Sequence, residues 1–202
     1  MENEILTMKS KTNLSCSICD KCCIYRGDIR LTPINILEIS KFLKIDIKEF
    51  LEKYTQSLKP EEPEIVLKGI GKEKRCILND EKTYKCKINK VKPIQCVMFP
   101  LMPINVEKDL FINMKTCPIK SDKKTSVNKW LNGNNKIYNR NKKIYIKWIQ
   151  FIEEIQPIWN NLSKEKQELI KKIIFEEYNI KENYEKQIIE NLKKAREIIY
   201  KK

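Results

Sequence analysis

The stretch Cys16-Ser-Ile-Cys19-Asp-Lys-Cys22-Cys23 places four thiols within eight residues. An apolar core gives no packing reason for so dense a run of cysteines. A metal does, because Cys-x2-Cys spacing lets two thiolates reach one ion, or one edge of a cluster, from a single turn of chain. The stretch therefore predicts a metal-binding site, around which the rest of the first half of the chain is organised.

Four further cysteines follow, more widely spaced, and bring the candidate ligands to eight. We expect Cys16, Cys19 and Cys22 to act together, because their spacing is that of the first three ligands in bacterial ferredoxin runs. In an extended segment Cys22 and Cys23 would point to opposite sides, so only one of them is expected at that site. A later cysteine, Cys96 or Cys117, is expected as the fourth ligand. The complete candidate set is Cys16, Cys19, Cys22, Cys23, Cys76, Cys86, Cys96 and Cys117.

The composition narrows the chemistry of this site. The 202 residues include no histidine, so His-containing zinc sites and Cys–His nucleophilic pairs are excluded. An all-thiolate site suits an iron–sulfur cluster, most simply 4Fe–4S, or structural zinc. The sequence shows neither a signal peptide nor an apolar run that could span a membrane. These features predict a protein of the reducing cytoplasm, where cysteines act as ligands rather than in disulfides.

The formal net charge of +14 favours polyanions as partners only weakly. Five of the 41 basic residues are arginine, the side chain best suited to bidentate phosphate contacts. Residues 120–147 combine lysines with Trp130, Tyr138 and Tyr145, and Trp148 follows directly, an arrangement that can stack bases. Tyr145 and Trp148 also fit the buried stripe of a helix, so we do not expect nucleic acid as the partner. A protein substrate or a redox partner is the expectation instead.

The periodicity predicts an α+β fold that is mostly helical. Residues 1–15 are expected to form a loose lead-in, and residues 1–120 a small, irregular cysteine domain stabilised by metal. Within it, Thr32-Pro33 and Asp46 are expected to begin helices. Further predicted elements are a strand at 64–68, short strands at 76–80 and 84–88, one helical turn within 91–99, and a hairpin of 102–106 with 109–113.

Residues 121–202 contain no cysteine and carry three amphipathic stripes. These stripes predict a helical extension that packs on the cysteine domain. The stripes are Tyr145, Trp148, Ile149, Ile152 and Ile155, then Leu169, Ile170, Ile173 and Ile174, and finally Tyr184, Ile188, Leu192, Ala195 and Ile199.

The combined motifs resemble the CxxCxxCC cysteine-cluster family of zinc- or iron-chelating domains, also called the YkgJ family. The resemblance covers about residues 14–118 and gives a counterpart to all eight cysteines. Its motifs are the Cys16–Cys23 run, Leu31-Thr-Pro33, Phe50-Leu51, Cys76-Ile-Leu, Lys85-Cys86-Lys-Ile88 and Lys92-Pro93-Ile-Gln-Cys96-Val-Met-Phe99-Pro100. This chain departs from the family at Lys92 and Val97, where the family often has arginine.

The resemblance implies a metal domain and leaves the reaction open. The family includes flagellin lysine N-methylases, so a protein-lysine methylase is one alternative function. A zinc-braced module that binds an acidic partner is another. The leading prediction is a cytoplasmic iron–sulfur protein with a redox role, and Cys19→Ala is expected to be among its most damaging single changes.

Overall fold

The computed structural model describes residues 4–14, 21–24, 28–59, 62–114, 117, 124–133, 136–179 and 182–201. Their fold is α+β and mostly helical, as the sequence predicts, and its sheets in these residues have two strands each. The helices are α1 (Pro33–Leu43), α2 (Ile47–Tyr54), α3 (Ile94–Met98), α4 (Val127–Asn132), α5 (Ile137–Ile155), α6 (Lys164–Phe175) and α7 (Tyr184–Tyr200). The strands are β1 (Lys11–Asn13), β2 (Thr55–Ser57), β3 (Ile65–Leu67), β4 (Gly69–Ile70), β5 (Arg75–Cys76), β6 (Leu101–Asn105), β7 (Leu110–Asn113) and β8 (Lys124–Ser126).

The chain divides into two compact units, and each unit is assembled from two separate segments. Unit 1 comprises Met1–Gly27 and Gly69–Lys142, and unit 2 comprises Asp28–Lys68 and Lys143–Lys202. All six described cysteines belong to unit 1. The predicted organisation into a cysteine domain of residues 1–120 and a packed helical extension of residues 121–202 stays a prediction.

The prediction of a loose lead-in at residues 1–15 is wrong for residues 4–14, the part of it that the structure describes. Strand β1 pairs antiparallel with β8, and Leu6 forms a bridge with Phe111. The backbone N–H of each of these two residues donates to the other's carbonyl, at 2.7 Å and 2.9 Å. Leu6 and Leu14 are buried. The segment was missed because its apolar residues are too few to give a periodic signal, and its partners lie far along the chain.

The predicted hairpin and the predicted helical turn of unit 1 are both confirmed. Strands β6 and β7 pair antiparallel, and α3 lies between Pro93 and Pro100. The buried ring of Phe111 packs edge-on against Tyr138, with 5.9 Å between ring centroids. The Trp130 indole Nε1–H donates to the Phe99 carbonyl over 3.0 Å, which ties α4 to the end of α3.

In unit 2 both predicted helix starts are confirmed. The Thr32 side chain caps α1 by accepting from the Asn35 N–H, and the Asp46 carboxylate caps α2 by accepting from the Glu49 N–H at 2.8 Å. Strand β3, between β2 and the Arg30 bridge, matches the predicted strand.

The C-terminal helices bury their stripes largely as predicted. Helix α1 contacts α2, α6 and α7, and the Trp148 ring packs against Phe175 with centroids 5.6 Å apart. Leu169, which the sequence placed on the buried stripe, is exposed. None of the helices within the described residues combines the length and the apolarity needed to cross a bilayer.

Candidate metal centre

Two short turns of unit 1 present Cys76 and Cys86 in the same way. In each turn the cysteine sulfur accepts a hydrogen bond from the backbone N–H two residues later, that of Leu78 or of Ile88. The Asn79 N–H donates to the Cys76 sulfur as well. Such N–H donors stabilise negative charge on sulfur and tune the properties of metal-bound thiolates. The two turns therefore hold thiols in an environment suited to thiolate ligands.

Leu78 and Ile88 fix the direction of these N–H groups. Both side chains are buried, and their burial holds the backbone of each turn against the interior of unit 1. The Lys87 N–H donates to the Leu78 carbonyl over 2.9 Å, and Asn79 bridges Cys86 in antiparallel register. The sequence predicted short strands at 76–80 and 84–88, joined by a polar turn. Apart from Cys76 at the end of β5, the structure instead has turns here, which the bridge between Asn79 and Cys86 joins into one small hydrogen-bonded module.

Asn79 is the main polar support of this module. Its buried side chain accepts from an Arg75 guanidinium N–H at 2.8 Å and donates to the Tyr84 carbonyl at 3.1 Å. Next to it, the backbone N–H and the hydroxyl of Thr83 both donate to the Asp80 carboxylate, and these bonds lower the pKa of Asp80. The polar residues between the two cysteines therefore hold them at a defined separation.

Cys22 and Cys23 lie on a 3-10 helix, Lys21–Cys23, rather than on an extended segment. The expectation that the two side chains point to opposite sides rested on extended geometry and does not apply here. The Cys23 thiol donates a hydrogen bond to the Cys22 sulfur, and this bond is the largest cause that raises the pKa of Cys23. Burial of the Cys23 thiol raises that pKa further.

Four thiols of unit 1 act on one another's pKa values through their charges. The thiols of Cys22, Cys76 and Cys86 all raise the pKa of Cys23. Burial raises the pKa of Cys76 to about 11, and it also raises that of Cys86, where Lys92 opposes it. A buried thiol with a raised pKa keeps its proton until a cation compensates the thiolate charge.

The donor set fits a thiophilic metal. The four electrostatically coupled thiols lie in a chain without histidine, and two of them receive backbone N–H bonds that favour the ionised form. Zinc and iron–sulfur clusters are the groups that all-thiolate sites hold. Binding would release the thiol protons, so metal affinity should rise with pH.

The remaining predicted ligands are distributed differently. Cys16 and Cys19 lie outside the described residues. Cys96 is half-buried on α3, and Cys117, also half-buried, follows β7. Within the described ranges, no three Cys, Asp or Glu side chains converge closely enough to form a complete metal site. The ligand roles of all eight cysteines stay a prediction.

Sequence reasoning missed the residues that support the thiols. The backbone donors at Leu78, Asn79 and Ile88 carry no side-chain signature of ligation, because the donating group is the peptide N–H. A signal was present nonetheless: a large aliphatic residue follows each of Cys76 and Cys86 at the second position. Arg75 and Asn79 gave no signal, since their contacts appear only once the two turns are paired.

The paired turns and the electrostatically coupled thiols are features expected of a cysteine-rich metal-chelating domain. The chain belongs to the CxxCxxCC family, described as "Putative zinc- or iron-chelating domain", which matches residues 15–129. That match covers more than half of the chain, extends past the last cysteine and confirms the predicted family. No solved structure matches the chain.

Proposed function

We propose that this protein holds an iron–sulfur cluster on its cysteines and uses it in electron transfer. The observation that carries the proposal is the group Cys22, Cys23, Cys76 and Cys86, in which the two later thiols accept backbone N–H bonds. Hydrogen bonds to sulfur are one of the means by which proteins set the reduction potential of such clusters. Family membership supports iron or zinc, and the ferredoxin spacing of Cys16, Cys19 and Cys22 favours iron.

The electrostatic coupling of the described thiols favours later ligands other than those expected from sequence. Cys76 and Cys86 both act electrostatically on the pKa of Cys23, whereas the sequence favoured Cys96 or Cys117 as the later partner. We therefore propose that Cys76 and Cys86 are the later cysteines that join the N-terminal run. A cluster bound there would supply reversible one-electron chemistry, and the chain's own residues would set its environment through Leu78, Asn79 and Ile88.

Anaerobic purification followed by elemental analysis tests the metal. We expect brown protein with several irons and acid-labile sulfide, and an absorption band that dithionite bleaches and air restores. Colourless protein with one or two zinc ions per chain would contradict the iron–sulfur proposal. Iron with sulfide but no reversible bleaching would contradict the redox role alone.

Cysteine-to-serine variants test the ligand assignment. Cys76→Ser and Cys86→Ser should each abolish most of the visible absorption. Cys117→Ser is the control, because Cys117 is half-buried like Cys86. Equal loss in all three variants would contradict the preference for Cys76 and Cys86. Retention in Cys76→Ser and Cys86→Ser, with loss in Cys117→Ser, would restore the assignment made from sequence.

A further inference from the structure

An exposed aromatic side chain stands at the tip of the module between Cys76 and Cys86. Tyr84 is 51% exposed, and the Arg75 guanidinium lies over its ring, 5.3 Å from the centroid. Ile70, which is 45% exposed, pairs across the β4–β5 hairpin with Arg75. Ile70, Arg75 and Tyr84 thus form a row, and together with Lys82 and Lys85 they make up what we call the Tyr84 face.

The backbone holds the Tyr84 face in a defined shape. Tyr84 has a φ of 57°, and Lys74, at the tip of the neighbouring turn, has a φ of 49°. Bulky residues rarely adopt this left-handed conformation, and it persists only where the surroundings impose it. Here the Asn79 side chain donates to the Tyr84 carbonyl, and the Tyr84 N–H donates to the Asp80 carbonyl at 2.8 Å. The backbone that carries the exposed ring is therefore fixed before any partner binds, which lowers the entropy lost on binding.

The surroundings of the Tyr84 face are strongly basic. Residues 72–92 contain eight Lys or Arg against three Asp or Glu, a formal excess of +5. Arg75 lies near Glu73, and Lys87 near Asp80, at 4.0 Å and 3.9 Å. The other exposed lysines here form no ion pair with any carboxylate in the described part of the chain: Lys72, Lys74, Lys82, Lys85 and Lys90.

We propose that the Tyr84 face is a docking surface for an acidic protein. An exposed tyrosine beside an arginine, on a segment rich in exposed lysines, has the composition of a binding hot spot with a charged rim. Nucleic acid suits this face less, because Arg75 is its only arginine and is already engaged with Asn79 and the Tyr84 ring. A second copy of the chain suits it less still, because both copies would carry +14.

The Tyr84 face lies close in sequence to the candidate metal centre. Tyr84 lies two residues before Cys86 in the same hydrogen-bonded module, so a partner seated there would lie beside the candidate metal centre. Docking at the Tyr84 face does not depend on which metal the cysteines bind. It requires only that the module between Cys76 and Cys86 is folded, and metal content measured on every variant separates this requirement from docking itself.

The test uses the full metal-loaded chain and two defined acidic polymers, polyglutamate and a random copolymer of glutamate and tyrosine. Lys82→Glu with Lys85→Glu should weaken binding to both polymers about tenfold, because two attractions become repulsions. Lys193→Glu with Lys194→Glu, on exposed positions of α7, changes the net charge equally and should have little effect. Equal weakening by the two pairs would overturn the proposal, because binding would then follow net charge alone.

Tyr84→Gly tests the aromatic anchor separately from folding. Glycine accepts a positive φ, so this change should leave thermal stability and metal content unimpaired. It should weaken binding to the tyrosine-containing copolymer by about tenfold, while the affinity for polyglutamate changes little. Unchanged affinity for the copolymer would overturn the role of Tyr84. Tighter binding of single-stranded DNA than of either polymer, or dimerisation lost in the Lys82→Glu/Lys85→Glu protein, would overturn the choice of partner.

Discussion

Residues 76–89 and the helix pair α6–α7 differ in what the sequence provides for their stability. In residues 76–89, the module that contains Cys76 and Cys86, the buried side chains of Leu78 and Ile88 anchor the turns. Most of the remaining residues there are charged or polar. The helix pair buries a continuous stripe along both elements: Ile170, Ile173, Ile174, Phe175, Ile188, Leu192, Ala195 and Ile199.

This difference indicates how each region is held. Burial of apolar side chains, at about 25 cal/mol per Å², can stabilise the helices without further help. A turn-rich segment with few buried side chains usually needs a metal or another cross-link. The two regions should therefore respond differently to the same kind of perturbation.

Removal of metal should give the largest difference in stability between residues 76–89 and the helix pair α6–α7. Structural zinc contributes on the order of 10 kcal/mol to the folding of small cysteine domains, and that contribution disappears with the metal. We expect chelation to open the module at Leu78, Asn79 and Ile88, while α6 and α7 stay folded. Hydrogen exchange at single-residue resolution measures this. Equal loss of protection at Ile173 and Leu192 would contradict the comparison.

Truncation of a buried leucine in each region should give the second-largest difference between them. Leu78 and Leu192 are each 2% exposed, so Leu78→Ala and Leu192→Ala should each cost about 2–5 kcal/mol. Only Leu78→Ala should also lower metal content, because the buried Leu78 side chain positions the backbone N–H that donates to the Cys76 sulfur. Denaturant titration and elemental analysis on the same samples measure both effects. Equal metal loss in the two variants would count against a supporting role for Leu78.

Two asparagines offer a smaller, matched test. Asn79 and Asn191 are each 4% exposed, and Asn191 donates to the carbonyls of Ile173 and Glu177 at 2.9 Å and 2.8 Å. Asn79→Ala and Asn191→Ala should each cost about 1–3 kcal/mol, since buried partners lose their bonds. We expect faster metal release to a chelator only in Asn79→Ala. Release rates that match in the two variants would show that Asn79 does not support the thiols.

The smallest effect concerns Glu64 of unit 2. Burial raises the pKa of this carboxyl above its ordinary value of 4.5, and the nearby Arg30 opposes the shift. A raised folded-state pKa means that protonation favours the native state, so its contribution is lost as pH rises from about 4.5 through the folded-state pKa. Glu64→Gln should flatten this part of the stability–pH curve. If the stability of the variant depends on pH as steeply as that of the unmodified protein, Glu64 is not the group responsible.

The sequence predicted what depends on local pattern. Helix starts at Thr32 and Asp46 follow from capping residues, and the stripes of α6 and α7 follow from periodicity, with Leu169 as the exception. The cysteine run identified the family and the class of site. Two features of the structure could not be predicted from the sequence. The pairing of Leu6 with Phe111 depends on residues far apart in sequence, and the N–H donors to Cys76 and Cys86 are backbone groups without a side-chain signature.

The pairing of the N-terminal segment also bears on how the protein is made. The N-terminus of a chain leaves the ribosome first. The Cys16–Cys23 run therefore emerges well before β7 and β8, which pair with the segment that precedes the run. Leu6 has its partner only after Phe111 is synthesised, and β1 only after Lys124–Ser126. Contacts this distant in sequence form late. Metal delivered before Lys124–Ser126 is synthesised would meet cysteines not yet framed by their fold, so we expect insertion only after that point.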